Sequence, residues 1–318
     1  MKFETVAIFG ATGQIGQLIV QAFQKCKKQN FKLIQVVQPG HDEEARRNPG
    51  VDAKFIDITS ASKEEIATAL QGVDVVVSAL GGKGMEMQPL IQDAADVAGV
   101  KRFYPSEYGM HHIYRKPGDD WGYLHPIWDM KEVSNEKCLH HPAVKEGRMS
   151  YTLIGCGDFY DQDREPTWCP WTQTDVDKYT LRIVGDANAR CDFTNRHDLA
   201  AYLVESCCHP ERSENATLNF VSDHISYNEI ASLLEKYAKR PVEKVFISEE
   251  DMHAYIADPS SAPAALREGS PFPLDFWMMV KGAQGQGRFW RPPGQVHNNL
   301  FPDVEVTPFE AYFQRRFA

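Results

Sequence analysis

Nowhere in the 318 residues does an uninterrupted apolar stretch approach the roughly 18 needed for a helix to cross a bilayer. The apolar N-terminal run is broken by Gly10 and Gly13 before it could serve as a secretory leader. No membrane partner is therefore expected, and the location expected is cytoplasmic. Positive charge is also scarce: 34 Lys and Arg against 44 Asp and Glu leave a net charge of −10. Nucleic-acid binders concentrate positive charge to displace counterions, so nucleic acid is excluded as the main partner. The seven cysteines, at positions 26, 138, 156, 169, 191, 207 and 208, form no Cys-x-x-Cys pair and are odd in number. Neither a disulfide framework nor a zinc site is suggested, and reduced thiols are expected. The pairs His111-His112 and His140-His141 lack the three-residue spacer that puts two ligands on one helix face, so no metal is expected. There is no internal repeat and no low-complexity tract.

What is present is an ordinary soluble composition, 42% apolar and 25% charged, with room for one large domain or two sharing a core. Short β-rich runs at 3–9, 31–37, 53–58, 73–79, 101–104 and 151–156 alternate with amphipathic segments at 14–28, 62–71, 86–98 and 126–139. That alternation builds an α/β fold, a doubly wound parallel sheet with helices on both faces. The run Val73-Asp74-Val75-Val76-Val77 lacks polar alternation, as expected of a central strand buried on both faces. Ser62 and Glu65 have capping-box spacing, and Gly99 is placed to stop the third helix. Beyond Cys156 the regularity fades. Segments 158–171 and 259–273 read as loops, helices are expected at 196–208 and 226–239 around a strand at 218–221, and a last helix begins near Pro308. We expect a nucleotide-binding domain over 1–156 and a smaller α+β substrate-binding region over 157–318, partly interleaved with it.

The most specific local signal is Gly10-Ala11-Thr12-Gly13-Gln14-Ile15-Gly16, which follows the first strand and opens the first helix. In such a turn the first glycine permits the tight reversal, the second lets a pyrophosphate approach the backbone, and the third lets the helix pack on the sheet. Three glycines can also simply make a turn, but the strand before and the helix after favour dinucleotide binding. The end of the second strand chooses the dinucleotide, an acid favouring the 2′-hydroxyl and a base the 2′-phosphate. Here it reads Val37-Gln38-Pro39-Gly40-His41, with no acid before Asp42. Gln38, His41, Arg46 and Arg47 are the available phosphate partners, so NADP(H) is the cofactor expected, although Arg46 and Arg47 read equally well as a solvated pair.

At this point the sequence resembles a known group. Lys101-Arg102-Phe103-Tyr104-Pro105-Ser106-Glu107-Tyr108-Gly109 is similar to a recurrent stretch of isoflavone-reductase-like proteins. Ala79-Leu80-Gly81-Gly82, Gln88, Ala94-Ala95, Ala98-Gly99-Val100, Gly157-Asp158-Phe159-Tyr160-Asp161, Asp198-Leu199-Ala200 and Leu300-Phe301-Pro302-Asp303-Val304 extend the likeness along the chain. These are atypical short-chain dehydrogenases with an NmrA-like branch. The resemblance implies a Rossmann fold, NADP(H), and reduction of small, often aromatic natural products. It also implies that Lys131 stands at the active-site lysine and that Phe159 packs on the nicotinamide. Three departures matter: Gln38 stands where the family has arginine, the 110–123 stretch is unlike the plant enzymes, and 259–293 has its own composition.

The usual short-chain dehydrogenase pairs its lysine with a tyrosine four residues earlier, which acts as proton donor. Position 127 is Ile, and Tyr123 is separated from the helix by Pro126. Lys131 therefore acts alone or with a group from elsewhere. On a helix it shares a face with Ile127, Ser134 and Cys138, a surface that would lower its pKa and suit general acid–base work. The plainer alternative is a lysine that only bonds the nicotinamide ribose.

Ser106, Glu107 and Tyr108 follow the fifth strand, at the sheet edge where such folds hold ligands; as structural hydrogen-bonders they would sit there equally well. The expected acid–base groups are Lys131 and Glu107. The expected cofactor contacts are Gly10, Thr12, Gly13, Gln14, Ile15, Gly16, Gln38, His41, Arg46, Leu80, Gly81, Ser106, Lys131, Gly155 and Phe159. Tyr108, Met110, Tyr160 and Trp277 are expected to face substrate, although the run containing Phe272, Phe276, Trp277, Met278 and Met279 reads more readily as core.

Three activities remain open from sequence. One is an NADPH-dependent reductase of a small aromatic or alkaloid-like metabolite. A second is a non-redox isomerisation, ring opening or rearrangement around a fixed dinucleotide, and a third is a dinucleotide-sensing regulator. A monomer and a homodimer are equally compatible.

Overall fold

Runs of β-branched residues without polar alternation become strands buried on both faces, and the computed structural model shows where they lie. It describes residues 2–110, 126–163, 167–268 and 272–318. The first six strands are β1 (Thr5–Phe9), β2 (Lys32–Val37), β3 (Asp52–Phe55), β4 (Val75–Ser78), β5 (Arg102–Tyr104) and β6 (Ser150–Cys156). They are followed by β7 (Asp158–Phe159), β8 (Tyr179–Val184), β9 (Arg190–Thr194), β10 (Ala216–Phe220), β11 (Asp223–Ser226) and β12 (Val242–Ile247). Seven of these form one parallel sheet in the order β10-β6-β5-β4-β1-β2-β3. All four residues of β4 are buried between β1 and β5, as its unbroken valines require.

The chain winds outward from β1 through β2 to β3, then restarts at β4 on the other side. The C-terminal ends of β1 and β4 thus border a topological switch point, where open α/β sheets bind ligands. One face of the sheet packs on helices Gln14–Lys25 and Arg196–Cys208 through Ile19, Val20, Phe23, Leu199 and Leu203. The other face packs on Lys63–Ala69, Gln88–Val97 and Pro126–Leu139 through Ile66, Ile91, Ala94 and Cys138. Ser62 and Glu65 do close a capping box, and Gly99 ends its helix at φ +77°.

A second core lies over the C-terminal part of the chain, where β9 pairs with β11 and β7, and β8 with β12. Strands β8, β9, β11 and β12 and helices Glu249–Ala257 and Leu274–Gly285 were not expected from sequence. The stretch read as loop at 158–171 contains the two-residue β7. Helix Leu274–Gly285 is buried from Trp277 to Gly285, so Trp277, Met278 and Met279 are core, whereas Phe276 is partly buried and Phe272 is 38% exposed. Among the described residues no helix is long and apolar enough to cross a membrane, and no cluster of three or more His, Cys, Asp or Glu could hold a metal.

Candidate functional site

The glycine turn is built to bring main chain against main chain. Gly10 sits at φ +77°, and a Cβ there would lie 2.5 Å from the Ala79 carbonyl oxygen at the end of β4. A Cβ on Gly16 would run into the Gly10 carbonyl. Gly13 is the N-cap of helix Gln14–Lys25, with no side chain capping the helix and no acid in its first turn. The first amide groups of a helix have no acceptor of their own, so this end suits an anion. A buried network braces the loop from behind: Asn48 Nδ2 donates to Ala11 O at 3.3 Å and to Gln35 Oε1 at 3.0 Å, and Gln35 Nε2 donates to Ala45 O at 3.0 Å. Thr12 O accepts from Gln17 Nε2 at 2.9 Å. Gln14 and Ile15 are partly buried, and Gln14 Oε1 accepts from Arg196 Nη1 at 3.2 Å.

Beside this turn, Gln38 spends its side chain on Asp57, whose carboxylate is held well below its usual range by Thr59, Gln38 and Ser60. Asp57, just past β3, was not foreseen. His41 lies 3.7 Å from Glu44, while Arg46 is exposed at the end of the short helix Asp42–Ala45, where it stays available to a phosphate.

The second part of the site lies past the ends of β5 and β6. Lys131 Nζ donates to Glu107 O at 2.5 Å, and Asn135 Nδ2 donates to the Glu107 carboxylate. One turn away, Ser134 Oγ accepts from Gln88 Nε2 at 2.6 Å, and Gln88 Oε1 accepts from the Ser106 amide at 2.7 Å. Residues i, i+3 and i+4 of helix Pro126–Leu139 therefore stitch it to Ser106-Glu107, as expected of one helix face. Burial pushes the Glu107 carboxyl from 4.5 up to about 7, against the pull of Lys131 and Asn135. Burial also lowers the Lys131 ammonium, opposed by Glu107. The two acid–base candidates named from sequence are thus brought together, with their proton affinities drawn toward each other.

Other candidates have different roles. Ser106 Oγ donates to Leu80 O at 2.7 Å, tying β5 to the end of β4, and Gly81 caps the adjoining turn of 3-10 helix. Tyr108 is not at a substrate surface: it is 8% exposed, at φ +41°, and its hydroxyl donates to Ser78 O at 2.9 Å. Tyr160 is fully buried, stacked on Phe309 at 4.2 Å with its hydroxyl donated to Thr307 O, so it is core rather than substrate contact. Trp277 is likewise buried within the second core. Gly155 serves packing, because a Cβ there would meet Asn219 Oδ1 and lie 2.7 Å from Arg291 Nη2. Phe159 is partly buried just beyond β6, and Met110 is buried in the second core and lines a cavity with Glu107 and Arg291. The segment 111–123, including His111, His112, Arg115, Trp121 and Tyr123, lies outside the described residues except for Met110 before it.

The motif Gly157-Asp158-Phe159-Tyr160-Asp161 proves largely architectural. Asp158 is ion-paired with the buried Lys281 at 3.0 Å and accepts from Trp168 and Gln284. Asp161 pairs with Arg196 at 3.1 Å. Asp198 binds Ser222 and Thr307. Sequence reasoning missed Arg291, whose Nη2 donates to Gly109 O at 2.9 Å and which lies in the electrostatic field of Glu107. It sits in a Pro- and Gly-rich stretch with no local periodicity to single it out.

Comparison with known proteins agrees with this architecture. Over 96% of both chains, the sequence is 29% identical to eugenol synthase 1 of Petunia hybrida and 27% identical to phenylcoumaran benzylic ether reductase PT1 of Pinus taeda. The leucoanthocyanidin reductase of Vitis vinifera, solved as a binary complex with NADPH, superposes with a TM-score of 0.75 at 20% identity, covering 98% of this chain and 99% of that one. The NmrA-like family model matches residues 2–269. With a glycine turn at the switch point and a match across most of its length, the chain belongs to the NmrA-like family.

Proposed function

We propose that the protein is an NADPH-dependent reductase of a small aromatic metabolite. The observation that carries this is the placing of Lys131 and the buried Glu107 at the C-terminal end of the sheet that presents the uncapped glycine turn. The names of the petunia, pine and grapevine proteins favour the same reading. Gly10, Gly13 and Gly16 would admit the pyrophosphate, and Arg46 would meet a 2′-phosphate. When bound, NADPH supplies a hydride.

The chain's own part is the proton. Lys131, lowered by burial, gives a proton to a substrate oxygen or takes one from a phenol, and Glu107 holds the ammonium through its carbonyl. The Glu107 carboxyl, near half-protonated at neutral pH, is the second group able to exchange that proton.

Loss of the near-ultraviolet absorbance of NADPH with a panel of aromatic acceptors tests the reading. Product without NADPH loss would overturn it in favour of a non-redox rearrangement. Lys131→Met is expected to abolish turnover while NADPH still binds, weakened at most by the loss of one ribose contact, and unchanged turnover would remove the lysine from the mechanism. Tighter binding of NADH than NADPH would refute the cofactor assignment.

A further inference from the structure

Several buried charges among the described residues are matched. Lys281 has Asp158 and Tyr227, Arg196 has Asp161, and Arg102 is held by the hydroxyls of Ser150, Thr152 and Ser213 and by Pro210 O. Arg291 is different. Its amide donates to Asp192 Oδ2 at 2.7 Å and its Nη2 to Gly109 O at 2.9 Å, so the side chain is anchored at both ends. Its Nη1 is nevertheless buried with no hydrogen-bond partner among the described residues. A buried guanidinium N–H without an acceptor carries a desolvation cost that ordinary packing does not offset.

Three further observations say what acceptor it suits. The guanidinium lines a cavity of about 130 Å³ with Glu107, Met110, Gly155, Asn219 and Trp290. That is well below the roughly 300–1,000 Å³ that encloses a whole drug-sized ligand, so it takes the end of a molecule. Lys131 and Arg291 both act on the Glu107 carboxyl, opposed by Glu132, and the burial that lowers the Arg291 guanidinium is opposed by Asp192 and Glu107, so the charges around the cavity are mixed and the selectivity rests on the unpaired Nη1. The missing Cβ of Gly155 is what makes room for the guanidinium, since a methyl there would lie 2.7 Å from Nη2. An anionic oxygen is the group that such a fixed, desolvated donor selects.

We propose that Arg291 is a specificity-determining residue that receives the carboxylate of an aromatic carboxylic acid in the cavity between Glu107 and Trp290. The inference rests on the reductase reading only in assuming that the rest of this acid is what Lys131 acts upon. Trp290, 37% exposed, supplies the aromatic wall beside the charge.

The test is calorimetric titration of the NADP⁺-loaded protein with 4-hydroxycinnamate and with 4-hydroxycinnamyl alcohol, which differ in the carboxylate. The acid is expected to bind about 10- to 100-fold tighter, the range of one charge-assisted hydrogen bond. Arg291→Gln is expected to equalise the two probes, and Arg291→Lys to keep part of the preference. Should Arg291→Gln fail to fold in a thermal melt, Gly155→Ala, which displaces the guanidinium without removing it, must reduce the preference. Equal affinities in the unaltered protein, binding of neither probe, or a preference unchanged in the variants would overturn the proposal. A carboxylate preference without any NADPH consumption leaves Arg291 in place and sinks the reductase reading. Consumption with neutral acceptors and no such preference does the reverse.

Discussion

Glu107 shows how one side chain is given a task by its surroundings. Its carbonyl is the anchor of Lys131 and its carboxyl is held by Asn135, while burial keeps that carboxyl part-protonated near neutrality. Because the folded value is raised above the ordinary 4.5, the group favours the folded state fully below pH 4.5, and that contribution fades as the pH rises through about 7. Lys131, lowered by burial, runs the opposite way, its penalty being relieved as the pH rises. Thermal melts across this window are expected to show a smaller decline for Glu107→Gln than for the unaltered protein; identical slopes would remove Glu107 as the titrating group. Glu107 could be named as a candidate from its position just after a strand, and Lys131 through the family resemblance, since no tyrosine stands four residues before it. Tyr108 and Tyr160 were misread for the same reason: position after a strand says that a side chain is near the ligand edge, not which way it turns. Arg291 was invisible, since its link to Gly109 spans 182 residues.

Helix Pro126–Leu139 acts as a clamp whose grip depends on three side chains, Lys131, Ser134 and Asn135. Asn135 stabilises the ionised form of Glu107, so Asn135→Ala is expected to move the Glu107 limb of the rate–pH profile upward with little loss of folded protein. A profile that stays in place would show that Asn135 only packs. Capping is a separate matter. Ser62→Ala removes one half of the capping box and is expected to cost about 1 kcal/mol in urea denaturation, with turnover unaffected. In helix Leu274–Gly285, Lys281→Met leaves the Asp158 carboxylate buried without its cation, and a loss of about 3 kcal/mol or more is expected from the same measurement. The burial of Lys281 and its pairing with Asp158 could not be foreseen from a run dominated by aromatics and methionines. Its partners lie on β7 and on helix Tyr227–Ala238.

For the molecule as a whole, the alternation of strands and helices over the first half was enough to give the layer order, because each element there is long or strongly patterned. The C-terminal half escaped because its strands share no one pattern: β9 is buried at four of five positions, whereas β12 is largely exposed. In β12 only Ile247 is fully buried, and Phe246 is 61% exposed. The consequence of one topological detail extends to how the protein is made. Strand β10, which flanks β6, and helix Arg196–Cys208, which covers the β1 side of the sheet, both come from residues beyond 195. A chain emerging from the ribosome therefore displays the unpaired edge of β6 and an apolar face covered only by helix Gln14–Lys25 until about residue 220 has been synthesised. A fragment ending at residue 156 is accordingly expected to aggregate or stay unfolded by circular dichroism, however complete its nucleotide-binding motif.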